Sequence, residues 1–339
     1  MQRVPMQEDA TPRFDSSGFD SPRIDFPRFD SSVETGGAVP GLAGTPAYAL
    51  TRCEPSPIPV MIAVPHAGRS YPPMLVEGMR HPAFAAPRLE DRLVDLVAIE
   101  AARRTGATLL LAQAPRAMID LNRSSDDVDW DMVSDSRPPA GDCVGGGVMR
   151  RARSGLGLVP RRLPGLGELW KRRMKRGELD RRIAEIHEPY HAALAAELAG
   201  LSDRWGAALL IDLHSMPPLA ARSAGEPAPQ YVVGDRFGAA CDGALVSTVF
   251  ALFAQAGLRA AHNRPYAGGY VLERHARRRD GIHCLQLEID RTCYLDSRLA
   301  EPGAGFDAVV EIVTTLVRRV ADDVAAIGRN RQSWRAAAE

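Results

Sequence analysis

Two histidines that follow apolar runs are the residues best placed for chemistry. His66 lies in Val64-Pro65-His66-Ala67-Gly68-Arg69, and His214 in Ile211-Asp212-Leu213-His214-Ser215. Neutral imidazoles suit a zinc ion, which then needs a third ligand, often a carboxylate, and leaves a fourth position to water. Taken singly, each histidine is more often a structural, hydrogen-bonded residue; two at equivalent strand ends favour the metal. Asp212 is placed either to orient an imidazole or to be a plain buried carboxylate, and both readings stand.

Two further groups carry polar residues that chemistry could use. In Arg116-Ala117-Met118-Ile119-Asp120-Leu121-Asn122-Arg123, a guanidinium beside an amide suits the grip of a carboxylate through parallel charge-assisted hydrogen bonds. Arg116, seven residues earlier, is spaced to reach a developing oxyanion. Alone, the stretch would read as a surface turn with ordinary salt bridges. In Gly268-Gly269-Tyr270, the glycine pair predicts a mobile loop that brings an aromatic over a pocket. Leu285-Gln286-Leu287-Glu288 then puts a carboxylate in an apolar strand. Such a carboxylate is costly unless it is paired, protonated or near a metal, and burial raises its pKa toward that of a general base.

These residues need elements to hold them. The apolar run 60–64, closed by Pro65, predicts a buried strand. Apolar spacing over 89–104 predicts an amphipathic helix that Gly106 ends. Further strands fit 108–112, 208–213, 231–233 and 284–289, and further helices fit 178–201, 237–256 and 306–327. Alternating strands and helices predict an α/β fold with a mostly parallel sheet covered on both faces. Ligands in such sheets gather beyond the carboxyl ends of the strands, where His66 and His214 are expected.

The rest of the chain sets bounds. It has 339 residues and zero formal net charge, so its overall balance points to no nucleic-acid or acidic partner. No apolar run reaches the roughly 20 residues that span a bilayer, and the first ten residues do not read as a secretory signal. Five cysteines without a CxxC pair read as reduced cytoplasmic thiols. Residues 1–57, with Pro12-Arg13-Phe14-Asp15-Ser16-Ser17 repeated as Pro27-Arg28-Phe29-Asp30-Ser31-Ser32, predict a disordered low-complexity tail. One α/β domain is expected over 58–330, and a C-terminal tail over 331–339. An irregular Gly/Arg-rich insertion is expected at about 141–177. Residues 150–182 hold 12 Arg/Lys against three acids. A solvated insertion, or an electropositive rim drawing in an anionic substrate, fits better than a nucleic-acid patch, because only Trp170 is there to stack on bases.

Pro65-His66-Ala67-Gly68, Arg116-x3-Asp120-Leu121-Asn122-Arg123, Asp212-x-His214-Ser215, Gly268-Gly269-Tyr270 and Leu285-Gln286-Leu287-Glu288 occur in an order and at separations that resemble the N-formylglutamate amidohydrolase family. The family is related in fold to the zinc carboxypeptidases and aspartoacylase, and the likeness spans roughly His66 to Asp296. It implies a three-layer αβα architecture with a mostly parallel mixed sheet, of the phosphorylase/hydrolase-like (zinc exopeptidase-like) kind. It also implies zinc (Zn2+, or another divalent metal) held by His66, an acidic residue and His214. Asn122 and Arg123 would meet the substrate carboxylate, with Gly269 and Tyr270 closing the pocket. Arg116 would lie near the scissile carbonyl, and Glu288 would be the general base.

Two departures stand out. The carboxypeptidase signature His-x-x-Glu is absent because position 69 is Arg. Asp91, taken at the start of the 89–104 helix, matches the second aspartate of the family's Asp-Thr-Asp-Trp segment, with Glu90 as its rival. The Gly/Arg-rich insertion also differs from the region that precedes Pro-Tyr-His in typical members. Pro189-Tyr190-His191 is present, and His187 and His191 read as structural first and substrate-site residues second. The implied reaction is hydrolysis of N-formyl-L-glutamate to formate and glutamate. The alternatives are another N-acyl amino acid, a short peptide, or a non-catalytic binding protein of the same fold.

Overall fold

A computed structural model describes residues 31–135, 151–221 and 227–336. The chain opens with β1 (Ser31–Gly36), β2 (Tyr48–Cys53), β3 (Val60–Val64), α1 (Pro73–Gly78), α2 (Pro82–Leu89), α3 (Val94–Thr105) and β4 (Thr108–Ala112). A short hairpin of β5 (Arg162–Leu163) and β6 (Gly167–Glu168) follows, then α4 (Arg176–Arg182) and α5 (Glu188–Trp205), joined by a π-helical turn over Ile183–His187. The remainder is β7 (Ala208–Met216), β8 (Tyr231–Gly234), α6 (Gly243–Gln255), β9 (Ala260–His262), α7 (Tyr270–His275), β10 (Ile282–Asp290) and α8 (Phe306–Ala336).

Eight strands form one mixed sheet in the order β1-β2-β4-β3-β7-β10-β8-β9. The central four, β4, β3, β7 and β10, run parallel, while β2 and β8 join them antiparallel. Every residue of β3, β7 and β10 is buried, as expected of strands covered on both faces. On one face Ile62, Ile211, Leu213, Leu285 and Leu287 pack under α3, α6 and α8. On the other, Met61, Leu210 and Cys284 pack under α5 and the hairpin region. Side chains alternate along a strand, so Asp212 and His214 continue the row of Leu210, and Gln286 and Glu288 continue that of Cys284. The register sets Gln286 opposite Asp212 and Glu288 opposite His214. Two apolar rows on the α5 face therefore turn polar together, toward their carboxyl ends.

Four expectations are corrected. The tail predicted over 1–57 ends sooner, because β1 and β2 extend the sheet and Leu50 is buried in the core. Most of the repeats lie outside the described residues. The predicted 89–104 helix is broken: α2 ends at Leu89, Leu93 takes a left-handed φ of 55°, and α3 starts at Val94. Asp91 thus sits in the turn between two helices, not in a helix. The described part of the insertion is not solvated throughout, since Leu158, Leu169 and Met174 are core residues; residues 136–150 lie outside the description. The last helix continues to Ala336, past the predicted tail boundary at 331, and Arg331 Nε donates to Gly206 O at 3.2 Å.

Candidate active site

β3 ends at Val64 and delivers His66 two residues later, while β7 extends to Met216 and so contains His214 inside the strand. Their rings approach to 4.8 Å between centroids. The broken helix brings Asp91 to them, its backbone N–H donating to His66 O at 3.0 Å. Asp91 Oδ2 lies 2.9 Å from His214 Nδ1 and 3.4 Å from His66 Nδ1. The far nitrogens are also occupied: His66 Nε2 is 2.7 Å from Asp120 Oδ1, and His214 Nε2 is 2.9 Å from Asp212 Oδ2.

That pattern has a direction. Ionised carboxylates only accept, so the far nitrogens carry the protons and neutral rings turn lone pairs toward Asp91. Two lone pairs and a carboxylate oxygen repel one another unless positive charge lies among them. Either the imidazoles take up further protons, or a cation occupies the space. Burial alone would depress His214, yet Asp212 and Asp91 outweigh it and raise its pKa well above the usual histidine value. Burial likewise opposes ionisation of Asp91, and the two imidazoles win, holding it well below the carboxylate range. The three facing ligand atoms all lie within 4.8 Å of one another. Two nitrogens and one oxygen with hydrogen-bonded outer partners match a three-ligand zinc site. The residues fit the metal.

Asp91, not Glu90, turns toward the imidazoles. Glu90 Oε2 lies 3.5 Å from Arg92 instead. Arg69 occupies the place where a carboxypeptidase would carry its acidic ligand, and it makes a bidentate pair with Asp95 of α3 at 2.9 and 2.6 Å. Arg291, which sequence reading passed over, donates to the carbonyl oxygens of Pro87 and Glu90 and so braces the turn that presents Asp91. The only sequence hint was an arginine directly after a fully buried strand.

Asp120 was also missed, although it lies inside a motif already singled out. It holds His66, accepts from Asn122 N at 2.9 Å and from Arg116 Nε at 2.9 Å, and its Oδ2 also lies 2.9 Å from Arg116 Nη2. Burial opposes its ionisation, but Arg116 and His66 hold it well below the carboxylate range. Glu288 faces the same space with 7% exposure, and Arg116 is among the charges that act on it. Burial first, then the nearby Asp91 and Asp212, push its carboxyl up to about 7, against the pull of His214 and Arg116. Tyr266, another residue not foreseen, feels Glu288 and Asp91; burial and those charges raise its hydroxyl pKa.

The Asn122–Arg123 turn is held from behind. His187 Nε2 lies 2.9 Å from Arg123 O, and His191 Nε2 lies 3.0 Å from Leu121 O. His191 Nδ1 lies 2.9 Å from His275 Nε2, and those two rings stack at 5.2 Å. The π-helical turn ends at His187, a local irregularity often found near functional sites. Arg123 donates to Leu156 O at 2.9 Å and to Asn122 O at 2.7 Å. Tyr270 differs from expectation. It opens α7, stacks on His187 at 5.8 Å between centroids, and its hydroxyl accepts from Arg274 at 2.7 Å, so it is packed rather than carried by a mobile loop. Gly269 is needed for close approach, because a Cβ there would collide with the Asn122 carboxamide.

Comparisons with known proteins converge on one family. The family model for N-formylglutamate amidohydrolase matches residues 58–295. A crystal structure of N-formylglutamate amidohydrolase from Ralstonia eutropha is similar at a TM-score of 0.71 and 32% identity, over 82% of this chain and 98% of that one. N-formylglutamate deformylase of Pseudomonas aeruginosa is 29% identical over 280 residues, which is 81% of this chain and 95% of the relative. The Pseudomonas putida enzyme of the same name is 28% identical over 240 residues, 70% of this chain and 82% of its own length.

Proposed function

This chain belongs to the N-formylglutamate amidohydrolase family, and from that premise we propose that it hydrolyses the amide bond of N-formyl-L-glutamate to formate and glutamate. The observation that carries the reading is the convergence of His66 Nδ1, His214 Nδ1 and Asp91 Oδ2, each imidazole backed by its own carboxylate. These three residues would hold zinc. A divalent metal bound there supplies Lewis acidity, which lowers the pKa of water and polarises an acyl carbonyl.

The chain's own groups divide the remaining work. Glu288, with a pKa near 7, takes a proton from the attacking water and returns it to the departing amine nitrogen. Arg116, fixed by its hydrogen bond and ion pair to Asp120, presents positive charge to the oxygen that gains negative charge in the transition state. Arg123 and Asn122 would hold a substrate carboxylate, with Gly269 and Tyr270 bounding that side. Among the described residues no helix is long and apolar enough to cross a membrane, and the four described cysteines are free. Reduced thiols fit a cytoplasmic enzyme acting on a small carboxylate-bearing substrate.

The test pairs metal analysis with release of formate from N-formyl-L-glutamate. The expected result is close to one zinc per chain, with release abolished by chelation and restored by zinc. Glu288→Gln is expected to lower turnover about 10²- to 10⁴-fold, the usual contribution of a general base, while zinc is retained. Release that survives complete chelation would overturn the reading. Faster turnover of N-acetyl or dipeptide substrates would move the specificity and leave the chemistry.

A further inference from the structure

Glu288 has a neighbour to which no role has been given. Gln286 lies two residues earlier on the same face of β10, opposite Asp212, and is 4% exposed. A buried carboxamide is asymmetric: its oxygen only accepts and its nitrogen only donates. Its orientation can therefore be read wherever a backbone N–H, which only donates, faces it.

Two such backbone groups come from the start of α7. Val271 N donates to Asn122 Oδ1 at 2.9 Å, which fixes the Asn122 amide and turns its Nδ2 toward Gln286 Oε1 at 3.4 Å. Gly269 N donates to the same Gln286 oxygen at 3.1 Å. With its oxygen so assigned, Gln286 must direct Nε2 at Glu288, and it donates to Glu288 Oε1 at 2.8 Å. The contact of Asn122 Nδ2 with His214 Nε2, at 3.3 Å, joins two donors, because that histidine nitrogen already faces Asp212. Gln286 is thus the acceptor this geometry favours for Asn122. The polarity runs one way, from the α7 backbone through Asn122 and Gln286 to the carboxylate.

We propose that Gln286 is a positioning residue that sets the Glu288 carboxylate and ties it to the turn carrying Asn122. The base and the substrate-holding turn are then aligned as one unit. One hydrogen bond occupies Oε1 and leaves Oε2 for the water. This inference rests on the reading of Glu288 as base, given above.

The test uses the full chain and two substitutions. Gln286→Met keeps the volume and loses every hydrogen bond; Gln286→Glu keeps the shape and the acceptor but loses the donor. For both, kcat on N-formyl-L-glutamate is expected to fall about 10- to 100-fold, the scale of a misplacement near 1 Å. In Gln286→Met, KM should change less than kcat does, and zinc per chain should stay near wild type. A structural role alone would spread the effect of Gln286→Met over KM, metal and stability. Crystal structures of wild type and Gln286→Met supply a readout independent of activity, with the Glu288 carboxylate expected to leave its position in the variant. Full kcat in Gln286→Glu, or an unmoved Glu288 in Gln286→Met, would overturn the proposal. Wild-type protein that releases no formate would sink the substrate reading instead, and the crystallographic comparison would still decide the role of Gln286.

Discussion

His66 and His214 each face two carboxylates, whereas His191 and His275 face one another and the backbone. All four are buried on one side of the sheet, and the two groups share the 120–123 turn, through Asp120 on one side and Leu121 O on the other. Their electrostatics are nonetheless opposite. Around His214, Asp212 and Asp91 overcome burial and favour a cation. Around His191, burial acts with His187, His275 and Arg274, and the ring is held neutral with a pKa depressed to about 2; His275 is depressed to about 3 by burial, Arg274 and Arg277. Burial is common to both, so what separates them is the charge of the neighbours. One group is a seat for positive charge and the other a neutral brace.

The strongest way to break this contrast is Asp91→Asn, which keeps the shape and removes the charge shared by the two imidazoles. Zinc is expected to fall far below one per chain and formate release to drop by about 10³-fold or more, read by metal analysis and turnover. Metal retained at full occupancy would mean that another acid holds it. A smaller loss is expected for Asp120→Asn, which leaves all three facing atoms and weakens the support of His66 and of Arg116. Metal affinity or activity should decline about 10- to 100-fold, measured by competition with a chelator. Equal losses in the two variants would erase the distinction between ligand and support.

The neutral brace is tested by pH, and there the effect is smallest. A histidine whose folded pKa lies below its unfolded value is neutral in both states near pH 7.5. As pH falls below about 6.5 the unfolded chain binds a proton that the fold refuses, so stability is present above that pH and is lost on acidification toward about 3. Between pH 7.5 and 5, His275 alone should cost about 2 kcal/mol. His275→Leu should remove about that much from the acid slope in urea unfolding and leave zinc in place. A slope unchanged by the substitution would show that the stack accepts protons in the fold.

Much of this was legible in residue order. Continuous apolar runs announced β3, β7 and β10, because strands covered on both faces have few polar places. Period-two alternation then put Asp212 with His214 and Gln286 with Glu288 on shared faces, a local property of any strand. Other features depended on contacts between distant segments. The helical periodicity across 89–104 concealed a break at Leu93, where a non-glycine residue takes a left-handed backbone and Asp91 N bonds to His66 O. The apolar face continues on both sides of that break, so spacing alone could not reveal it. The first strands were hidden for a similar reason: β1 is the edge strand and β2 lies next to it, with only alternate residues of β2 deeply buried.

The sequence by itself determined which donors exist, which strands carry them, and that two imidazoles and a buried carboxylate would arrive at the same end of a parallel sheet. Only the tertiary structure decided that Asp91, and not Glu90, turns to those imidazoles, that Asp120 and Asp212 back them, and that Tyr270 packs on His187. It also decided that the amides of Asn122 and Gln286 point in one direction, toward Glu288. The physical reason is range. Strand alternation is set by neighbours in the chain, whereas ligand choice and hydrogen-bond polarity are set by groups as distant as Glu90 and Arg291, 201 residues apart, that meet only when the sheet and its crossovers close.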